Sequence, residues 1–532
     1  MKRIILFFTA AVLIFSVLIS CGETKKSPEA ENSAADGTED LQFSSKEPES
    51  GAEPQLTETQ TEDTTEQETE LSVVSETETN PIPEVELVEN VEYREITDIK
   101  YDNVSDFSEG LAYVCLGDKL GYIDTTGKEV IPQKYDYMGW LYSWYQGIHI
   151  SNFIDGLALV KLDGKYGFID KSDNVVIPII YDYAWCFREG RAAVKLGNDW
   201  GFIDKTGKII VPVKYNYVGY FTDGMAIVGA GGTLCDKDPT DIYLPHESDY
   251  KDSKWGFVNL EGEEAIPCIY DDRSMLYNMS YFIGGVARVS TGDPDNGYET
   301  GLVDKTGKII VPIGKYNFLD DFYEGYAAVK NAKGKYGFID TSGKEILPCV
   351  YDFYLGGGFQ HFTEGLIRFT LDSNKEGYMD KNGNAVGKTN YYDHAWFFNE
   401  GMAAVGIEED GTALRGFIDK TGKEVVPLKY NWVNDFSQGY AAVCMDYMKD
   451  NRRWGFIDKA GKEVIPLKYF EVNNFSEGLA AAATKENGTV KWGYINKKGE
   501  EIVPPIYDRV NSFNEGTAAV SINEKWGYIS IT

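Results

Sequence analysis

The 532-residue chain carries a formal net charge of −33; 43% of its residues are hydrophobic, 14% are aromatic and 55 are glycines. This composition supplies enough apolar surface for a folded core and many residues suited to tight turns. The acidity argues against binding to nucleic acid, because phosphate neutralisation needs clustered Lys and Arg.

Residues 1–20 have the organisation of a secretory signal, with two basic residues followed by an apolar run from Ile4 to Val17. The run is shorter than the roughly 20 residues that a membrane-spanning helix needs. The segment from Leu18 to Cys21 resembles the lipobox of bacterial lipoproteins, in which the cysteine thiol is diacylglycerated and the chain is cleaved just before it. We therefore expect a signal peptide over residues 1–20 and lipid attachment at Cys21.

Residues 21–90 are rich in Glu, Thr, Ser and Pro and nearly free of aromatic side chains. Such a segment cannot bury enough surface to offset its chain entropy, so we expect a disordered, acidic tether. Its own charge extends it. The tether would hold the folded part away from the membrane to which the lipid attaches the chain.

Residues 91–532 are built from about eleven copies of one repeat, which contains the motifs K-E-V-I-P-x-K-Y-D, F-x-E-G and K-W-G-F-I-D-K-T-G. Self-similarity at a short period indicates a repeat architecture. The glycine of the W-G motif recurs at Gly121, Gly167, Gly201, Gly256, Gly301, Gly337, Gly377, Gly416, Gly455, Gly493 and Gly527.

One repeat illustrates the predicted elements. Asp204–Gly207 (D-K-T-G) is typical of a type I turn closed by a left-handed glycine. Trp200–Ile203 before it predicts a strand whose glycine lets a neighbouring backbone come close. Ile209–Pro212 after it predicts a β-branched strand ended by proline. The turn at Glu189–Gly190 precedes the short strand Arg191–Lys195. We therefore predict three strands per unit, with the D-x-x-G turn joining one unit to the next.

These repeats resemble the WG-repeat (KWG-repeat) family of bacterial proteins over essentially all of residues 94–532. The resemblance implies an all-β repeat scaffold that is commonly exported and usually has no assigned activity. Eleven units exceed the four to eight blades usual for a propeller, so we expect three-stranded β-meanders stacked as an open, twisted solenoid or superhelix. One or two propeller-like rings are the alternative.

The sequence lacks the HExxH, G-x-S-x-G and Cys-His motifs of common hydrolases. His394 beside Asp393 is the one candidate acid-base pair that we identify. Acidic insertions such as Asp236–Asp241 resemble the start of a calcium loop, without an evident bidentate carboxylate. We therefore expect no catalytic residues, no metal and no cofactor.

Several aromatic residues lie at variable positions of the repeat, where packing explains them less easily than it explains the W-G aromatics. Aromatic rings of this kind stack on sugar rings or anchor protein partners. The candidate ligand-binding residues are Trp140, Tyr142, Trp144, Tyr145, Tyr392 and Trp396, with Tyr137, Tyr391 and Phe397 nearby.

We accordingly expect an extracytoplasmic, lipid-anchored scaffold at the bacterial cell surface that binds a protein, peptidoglycan or another envelope polymer, or a polysaccharide. Its contact with the membrane would run through the N-terminal lipid. The alternative is a secreted enzyme acting on glycans, with its site in the insertions after Val228 or around His361. The scaffold explains both the tether and the repetition, whereas the enzyme explains only the insertions.

Overall fold

The computed structural model describes residues 92–139, 151–234, 250–251, 253–271, 281–293, 297–351, 361–370, 375–388 and 392–531. These residues form an all-β structure whose eleven main sheets are arranged in a ring like the blades of a propeller. We number the blades in chain order.

Blades 1 to 3 contain β2 (Asn103–Val104), β3 (Leu111–Leu116), β4 (Lys119–Asp124) and β5 (Glu129–Asp136); β6 (Leu157–Leu162), β7 (Lys165–Asp170) and β8 (Val175–Tyr181); and β9 (Tyr183–Ala184), β10 (Arg191–Leu196), β11 (Asp199–Asp204) and β12 (Ile209–Tyr215). Blades 4 to 6 contain β13 (Tyr217–Val218), β14 (Met225–Ala230), β17 (Lys254–Asn259) and β18 (Glu264–Tyr270); β19 (Val286–Asp293), β20 (Gly297–Asp304) and β21 (Ile309–Tyr316); and β22 (Phe318–Leu319), β23 (Tyr326–Lys330), β24 (Tyr336–Asp340) and β25 (Glu345–Tyr351). Between β14 and β17, β15 (Thr233–Leu234) and β16 (Tyr250–Lys251) pair as a small separate sheet.

Blades 7 to 9 contain β26 (Phe362–Thr363), β27 (Leu366–Thr370), β28 (Glu376–Asp380) and β29 (Ala385–Val386); β30 (His394–Asn399), β31 (Met402–Glu409), β32 (Thr412–Asp419) and β33 (Glu424–Tyr430); and β34 (Trp432–Val433), β35 (Tyr440–Met445), β36 (Arg453–Asp458) and β37 (Glu463–Tyr469). Blade 10 contains β38 (Glu471–Val472), β39 (Leu479–Glu486), β40 (Thr489–Asn496) and β41 (Glu501–Tyr507). Blade 11 contains β42 (Arg509–Val510), β43 (Thr517–Ile522), β44 (Lys525–Ile531) and, from the other end of the array, β1 (Tyr93–Glu95).

The predicted turn chemistry is confirmed. In blade 3 the Asp204 carboxylate accepts hydrogen bonds from the backbone N–H of Thr206 (2.9 Å) and Lys208 (3.1 Å), and Gly207 is left-handed with φ 82°. The W-G glycine also has its predicted role, because a Cβ on Gly201 would lie 2.6 Å from the carbonyl oxygen of Val211. The register between β11 and β12 shifts at this point, so the bulged strand fills the space that a side chain would need.

The predicted division into three-stranded units is wrong in two respects. A two-residue strand precedes the other three in most blades, so the sheet has four strands in the order β9-β10-β11-β12. In addition, the D-x-x-G turn connects the last two strands of one blade and does not join neighbouring units. The physical reason is that the E-V-I-P strand pairs with the W-G strand before it, as Phe202 with Val211.

The prediction of an open solenoid is also wrong. β1 pairs antiparallel with β44, with Tyr93 opposite Ile531 and Glu95 opposite Ile529, so the first strand of the array completes the last blade. The Arg94 Nε donates to Ser530 Oγ at 3.1 Å across this pair. Since both strands would otherwise present unpaired backbone groups, their pairing closes the ring. The usual blade number of propellers was a poor guide, because the angle between neighbouring blades sets the ring size.

The hydrophobic core lies between neighbouring blades. Phe187 of blade 3 packs edge-on against Phe168 of blade 2, with ring centroids 4.8 Å apart, and Phe221 of blade 4 contacts Phe202 of blade 3 in the same way. All four rings are at most 2% exposed. A single blade therefore cannot bury its aromatic residues alone, which makes the stability of each blade depend on its neighbours.

Candidate ligand site on the inner ring

The chain segment after the short strand joins each blade to the next. It carries a phenylalanine, and the residue that follows hydrogen-bonds to the next blade: Ser108 Oγ donates to the Phe153 carbonyl at 2.8 Å, and Ser476 Oγ to the Phe513 carbonyl at 2.8 Å. Asn514 Nδ2 continues the series from blade 11 to the Phe107 carbonyl of blade 1 at 2.7 Å. Because like segments meet this closely, we place them at the inner edge of the ring, opposite the partly exposed last strands.

The side chain before each of these phenylalanines varies from blade to blade. Successive residues of an extended chain point to opposite sides, so this side chain points away from the core that holds the phenylalanine. We call the set the inner ring: Asp106, Asn152, Cys186, Tyr220, Tyr281, Asp321, His361, Phe397, Asp435, Asn474 and Ser512 for blades 1 to 11 in order.

Blades 9, 10, 11 and 1 form a polar arc of the inner ring, made of Asp435, Asn474, Ser512 and Asp106, all solvent-exposed. Two of these side chains are held by an asparagine of the preceding blade. Asn511 Nδ2 donates to Asp106 Oδ1 at 2.8 Å, and Asn434 Nδ2 to Asn474 Oδ1 at 3.3 Å. The second oxygen of Asp106 and the amide nitrogen of Asn474 remain for a ligand.

Two carboxyl groups of the polar arc have unusual electrostatics. Burial raises the pKa of Asp435, and it raises the pKa of Asp106 despite the opposing hydrogen bond from Asn511. Both side chains reach solvent but are surrounded by protein atoms, as expected for groups on the concave side of a ring. Within the described part of the chain, no hydrogen bond or ion pair involves the Asp435 carboxylate. It is therefore a strong acceptor positioned without a partner.

Blades 4 to 8 form an aromatic arc, which holds Tyr220, Tyr281, His361 and Phe397. In its second half, the His361 ring stacks between Tyr323 and Phe397, with centroid distances of 4.2 and 4.4 Å and interplanar angles of 24° and 22°. The Arg368 guanidinium lies 5.4 Å from the Phe397 centroid. These rings are half-buried, so the arc combines rigidity with accessible apolar surface.

The remaining inner-ring acid of this arc, Asp321, is already paired. Arg288 Nη2 lies 2.9 Å from Asp321 Oδ1, and both side chains are less than one-fifth exposed. Burial nevertheless raises the pKa of Asp321, with Arg288 acting in the opposite direction. Asp321 is thus engaged in holding blades 5 and 6 together, in contrast to Asp435.

The comparisons with known proteins agree with the repeat. The family described as WG containing repeat matches at residues 94–119, 121–166, 166–198, 200–233, 255–293, 301–336, 336–374, 377–409, 416–447, 454–488 and 492–526. The chain belongs to this WG-containing repeat family. No curated protein matches it in sequence.

The WG-repeat ring shows only remote likeness to solved structures. The computationally designed Ika8 protein is 15% identical, with 58% of this chain and 95% of that chain covered and a TM-score of 0.24. The tricorn protease is 12% identical (79% and 46% covered, TM-score 0.22), and BamB from Moraxella catarrhalis is 11% identical (47% and 79% covered, TM-score 0.24). Scores of this size do not establish a shared fold.

The aromatic residues that the sequence singled out have different surroundings. Cys21, Trp140, Tyr142, Trp144, Tyr145 and Tyr391 lie outside the described residues. Tyr392 is only 1% exposed and belongs to the core between blades 7 and 8, which does not suit direct contact with a ligand. Phe397 lies on the inner ring, and its neighbour Trp396 is half-buried beside the Arg415 guanidinium, 5.5 Å from the ring centroid.

The titratable candidates are also separated. His394 Nε2 lies 3.3 Å from Glu408 Oε1, while the Asp393 carboxylate pairs with Lys375 Nζ at 2.5 Å. The structure thus brings His394 to Glu408 and not to Asp393. Among the residues with described positions, no group of three or more His, Cys, Asp and Glu side chains is arranged to hold a metal ion. Across the same residues, no helix is long and apolar enough to span a membrane.

Sequence reasoning missed the inner ring except for Phe397 and for His361, which it named only as the location of an alternative enzyme site. A signal was present, because the position before the constant phenylalanine changes from repeat to repeat, as in Asp435-Phe436 and Asn474-Phe475. The predicted ligand-binding residues were instead single aromatic side chains at other positions of the repeat. The importance of the position becomes visible only once the ring is closed and the eleven variable side chains surround one axis.

Proposed function

We propose that this WG-repeat chain is a non-catalytic, lipid-anchored scaffold at the bacterial cell surface and that its inner ring binds the ligand. The observation that carries the proposal is the contrast within each repeat. The phenylalanine is buried in every blade, from Phe107 to Phe513, whereas the residue before it changes in charge, size and aromaticity. Residues with a structural role recur from blade to blade, whereas function depends on the particular residues of a site and not on the fold.

The division of the inner ring into two arcs supports binding. Asp435 and Asp106 of the polar arc present acceptors without full partners, and the Tyr323, His361 and Phe397 rings of the aromatic arc present apolar surface. Ligand sites typically combine aromatic surface with a few positioned polar groups. Such a surface suits a protein, an envelope polymer or a polysaccharide.

The anchoring part of the proposal rests on the sequence. Leu18–Cys21 resembles a lipobox, and the acidic residues 21–90 suit a tether between lipid and ring. Expression in a bacterial host with labelled fatty acid tests this. We expect label on the wild-type chain and none on Cys21→Ala. Equal labelling of both, with unchanged membrane retention, would refute the anchor.

Binding is tested with the full-length Cys21→Ala chain, which leaves the ring intact and removes only the lipid site. We expect it to be retained on isolated cell-envelope material, and retention to fall when Asp435 and Asn474 are both replaced by Ala. The control is Glu524→Ala, which removes an exposed side chain between β43 and β44, away from the inner ring. Retention that is absent, or equal for all three proteins, contradicts the inner ring as the binding site.

One observation favours the alternative of a glycan-cleaving enzyme. The raised pKa values of Asp106 and Asp435 are a property of carboxyl groups that act as general acids. Incubation with soluble glycans and assay of new reducing ends separates the two functions. The scaffold predicts no turnover. Turnover that is abolished by Asp435→Asn or Asp106→Asn would establish the enzyme instead.

A further inference from the structure

We infer that the ligand of the inner ring is a neutral polysaccharide chain, bound by its hydroxyl groups to the polar arc and by its sugar rings to the aromatic arc. This inference rests on the proposed function and names the ligand class for the same site. It follows from three properties of the ring: the mixture of hydrogen-bonding groups, the sign of the charge and the position of the aromatic rings.

The polar arc alternates acceptors with groups that both donate and accept. Asp435 has two free carboxylate oxygens, Asn474 keeps its amide N–H donors, Ser512 offers a hydroxyl, and Asp106 keeps one oxygen after its bond to Asn511. A sugar hydroxyl is at once a donor and an acceptor, so successive hydroxyl groups of a polysaccharide satisfy such a sequence of partners. An apolar peptide surface would leave them unsatisfied.

The charge of the ring excludes anionic polymers as the preferred class. Burial raises the pKa of Asp106 and of Asp435, and no ion pair in the described residues places a cation beside either carboxyl group. Two cations of the aromatic arc are already engaged, since Arg288 pairs with Asp321 and Arg368 donates to the Ala395 carbonyl at 2.6 Å. A uronate or phosphate polymer would meet like charge on a partly desolvated surface.

A second, independent observation comes from blade 2, where the polar arc continues. Asn152 is an inner-ring residue of which only 8% is exposed, and its Oδ1 is buried without a hydrogen-bond partner among the described residues. Buried polar groups in proteins are almost always bonded, so this acceptor is open to a donor from outside the described residues. A sugar hydroxyl supplies such a donor.

The aromatic arc adjoins the polar arc, since Phe397 of blade 8 precedes Asp435 of blade 9 around the ring. The stack of Tyr323, His361 and Phe397 is held by contacts between blades 6, 7 and 8, so its rings are positioned before a ligand arrives. The C–H faces of pyranose rings contact aromatic surface favourably, and a polymer that repeats along its length adds such contacts together. A free monosaccharide makes fewer of these contacts and should bind far more weakly.

The test is native affinity electrophoresis of the full-length Cys21→Ala chain in gels containing hydroxyethyl cellulose, soluble starch or polygalacturonate. We expect retardation by at least one neutral polymer and none by polygalacturonate. Adding Asp435→Ala and Asn474→Ala should raise the dissociation constant at least about tenfold, and so should Phe397→Ala. Glu524→Ala should leave it unchanged, and thermal unfolding of each variant shows whether the ring remains folded.

Each outcome has a defined meaning. Retardation by polygalacturonate alone, or by no polymer, overturns the neutral-polysaccharide inference. Equal affinity of the double variant and the Glu524→Ala control overturns the inner ring as the glycan site. If envelope retention depends on the inner ring but disappears after protease treatment of the envelope, the ligand is a protein. In that case the glycan inference fails while the proposed scaffold stands.

Discussion

The Glu515 carboxylate of blade 11 accepts a hydrogen bond from the Gly110 backbone N–H of blade 1 at 2.8 Å, and a second from the Glu109 N–H at 2.9 Å. The same contact recurs around the ring. Glu477 accepts from Gly516 N–H at 2.9 Å, and Glu189 from Gly224 N–H at 2.8 Å. The contact therefore continues across the closure point, from blade 10 to blade 11 and from blade 11 to blade 1, which an open array does not allow.

These contacts explain why most of the turns hold a side-chain acceptor, usually glutamate, where glycine would be easier; blade 5 has Gly284 at this position. The backbone of Glu515 is left-handed with φ 51°, a conformation that residues other than glycine rarely adopt. Hydrogen bonds to an ionised carboxylate are stronger than neutral ones and offset this strain. We expect Glu515→Ala to destabilise the ring by about 1–2 kcal/mol, measured as a lower midpoint of thermal unfolding.

Glu524→Ala is the control for the Glu515 variant. Glu524 is also exposed and left-handed, with φ 64°, but no hydrogen bond or ion pair of its side chain is described. Its replacement should leave the midpoint nearly unchanged. Equal effects of the two substitutions would show that the backbone conformation matters and the contact between blades does not.

Ring closure in solution is testable with a disulfide. Arg94 and Ser530 are directly opposite in the β1–β44 pair, which places their Cα atoms within the range that a disulfide bridges. We expect Arg94→Cys with Ser530→Cys to cross-link on oxidation and to migrate faster on a non-reducing denaturing gel. Arg94→Cys with Lys525→Cys should stay open, because Lys525 lies about 16 Å further along β44. If neither of these two double variants cross-links, the array is open in solution.

The Asp435 carboxyl should reduce the stability of the ring at neutral pH. Burial raises its pKa in the folded state, so its contribution to stability is present at low pH and is lost as the pH rises through the folded pKa. Asp435→Asn should therefore raise the unfolding midpoint at pH 7, and the gain should vanish near pH 3. Asp118→Asn, in the exposed hairpin between β3 and β4, should leave the unfolding midpoint unchanged both at pH 7 and near pH 3. A gain that persists unchanged at low pH would exclude the electrostatic cause.

Other aspartates should have the opposite effect and make the ring less stable as the pH falls. Hydrogen bonds from Lys525 Nζ and Gly117 N–H lower the pKa of Asp102, and those from Thr206 lower the pKa of Asp204. A lowered pKa means stability that is present above the unfolded pKa and lost as the pH falls through the folded one. Because such aspartates recur in most blades, the whole ring should become less stable below about pH 4.

The W-G glycines should differ in their tolerance of a side chain. A Cβ on Gly416 would lie 2.2 Å from the Val426 carbonyl oxygen, whereas one on Gly527 would lie 3.0 Å from the Asp98 carbonyl oxygen. We expect Gly416→Ala to cost roughly 1–3 kcal/mol through displacement of β33, and Gly527→Ala distinctly less. Thermal unfolding of the two variants gives the comparison, and the reverse order would contradict the steric explanation.

The sequence by itself determined the repeat, its all-β class, the turn at Asp204–Gly207 and the need for glycine beside tryptophan. These features depend on residues near one another in the chain, where local conformation and side-chain alternation decide the structure. The aromatic residue Phe397 was also found in this way, although its neighbour Tyr392 proved to be part of the core.

Only the tertiary structure decided that the array closes and that one strand of blade 11 comes from the other end. Arg94 and Ser530 are 436 positions apart, and their meeting depends on the small angle between neighbouring blades summed over the whole ring, which no single repeat encodes visibly. The inner ring follows from the same closure. Asp435, Asn474, Ser512 and Asp106 are scattered in the sequence, and they form one arc because the ring brings blades 9, 10, 11 and 1 side by side.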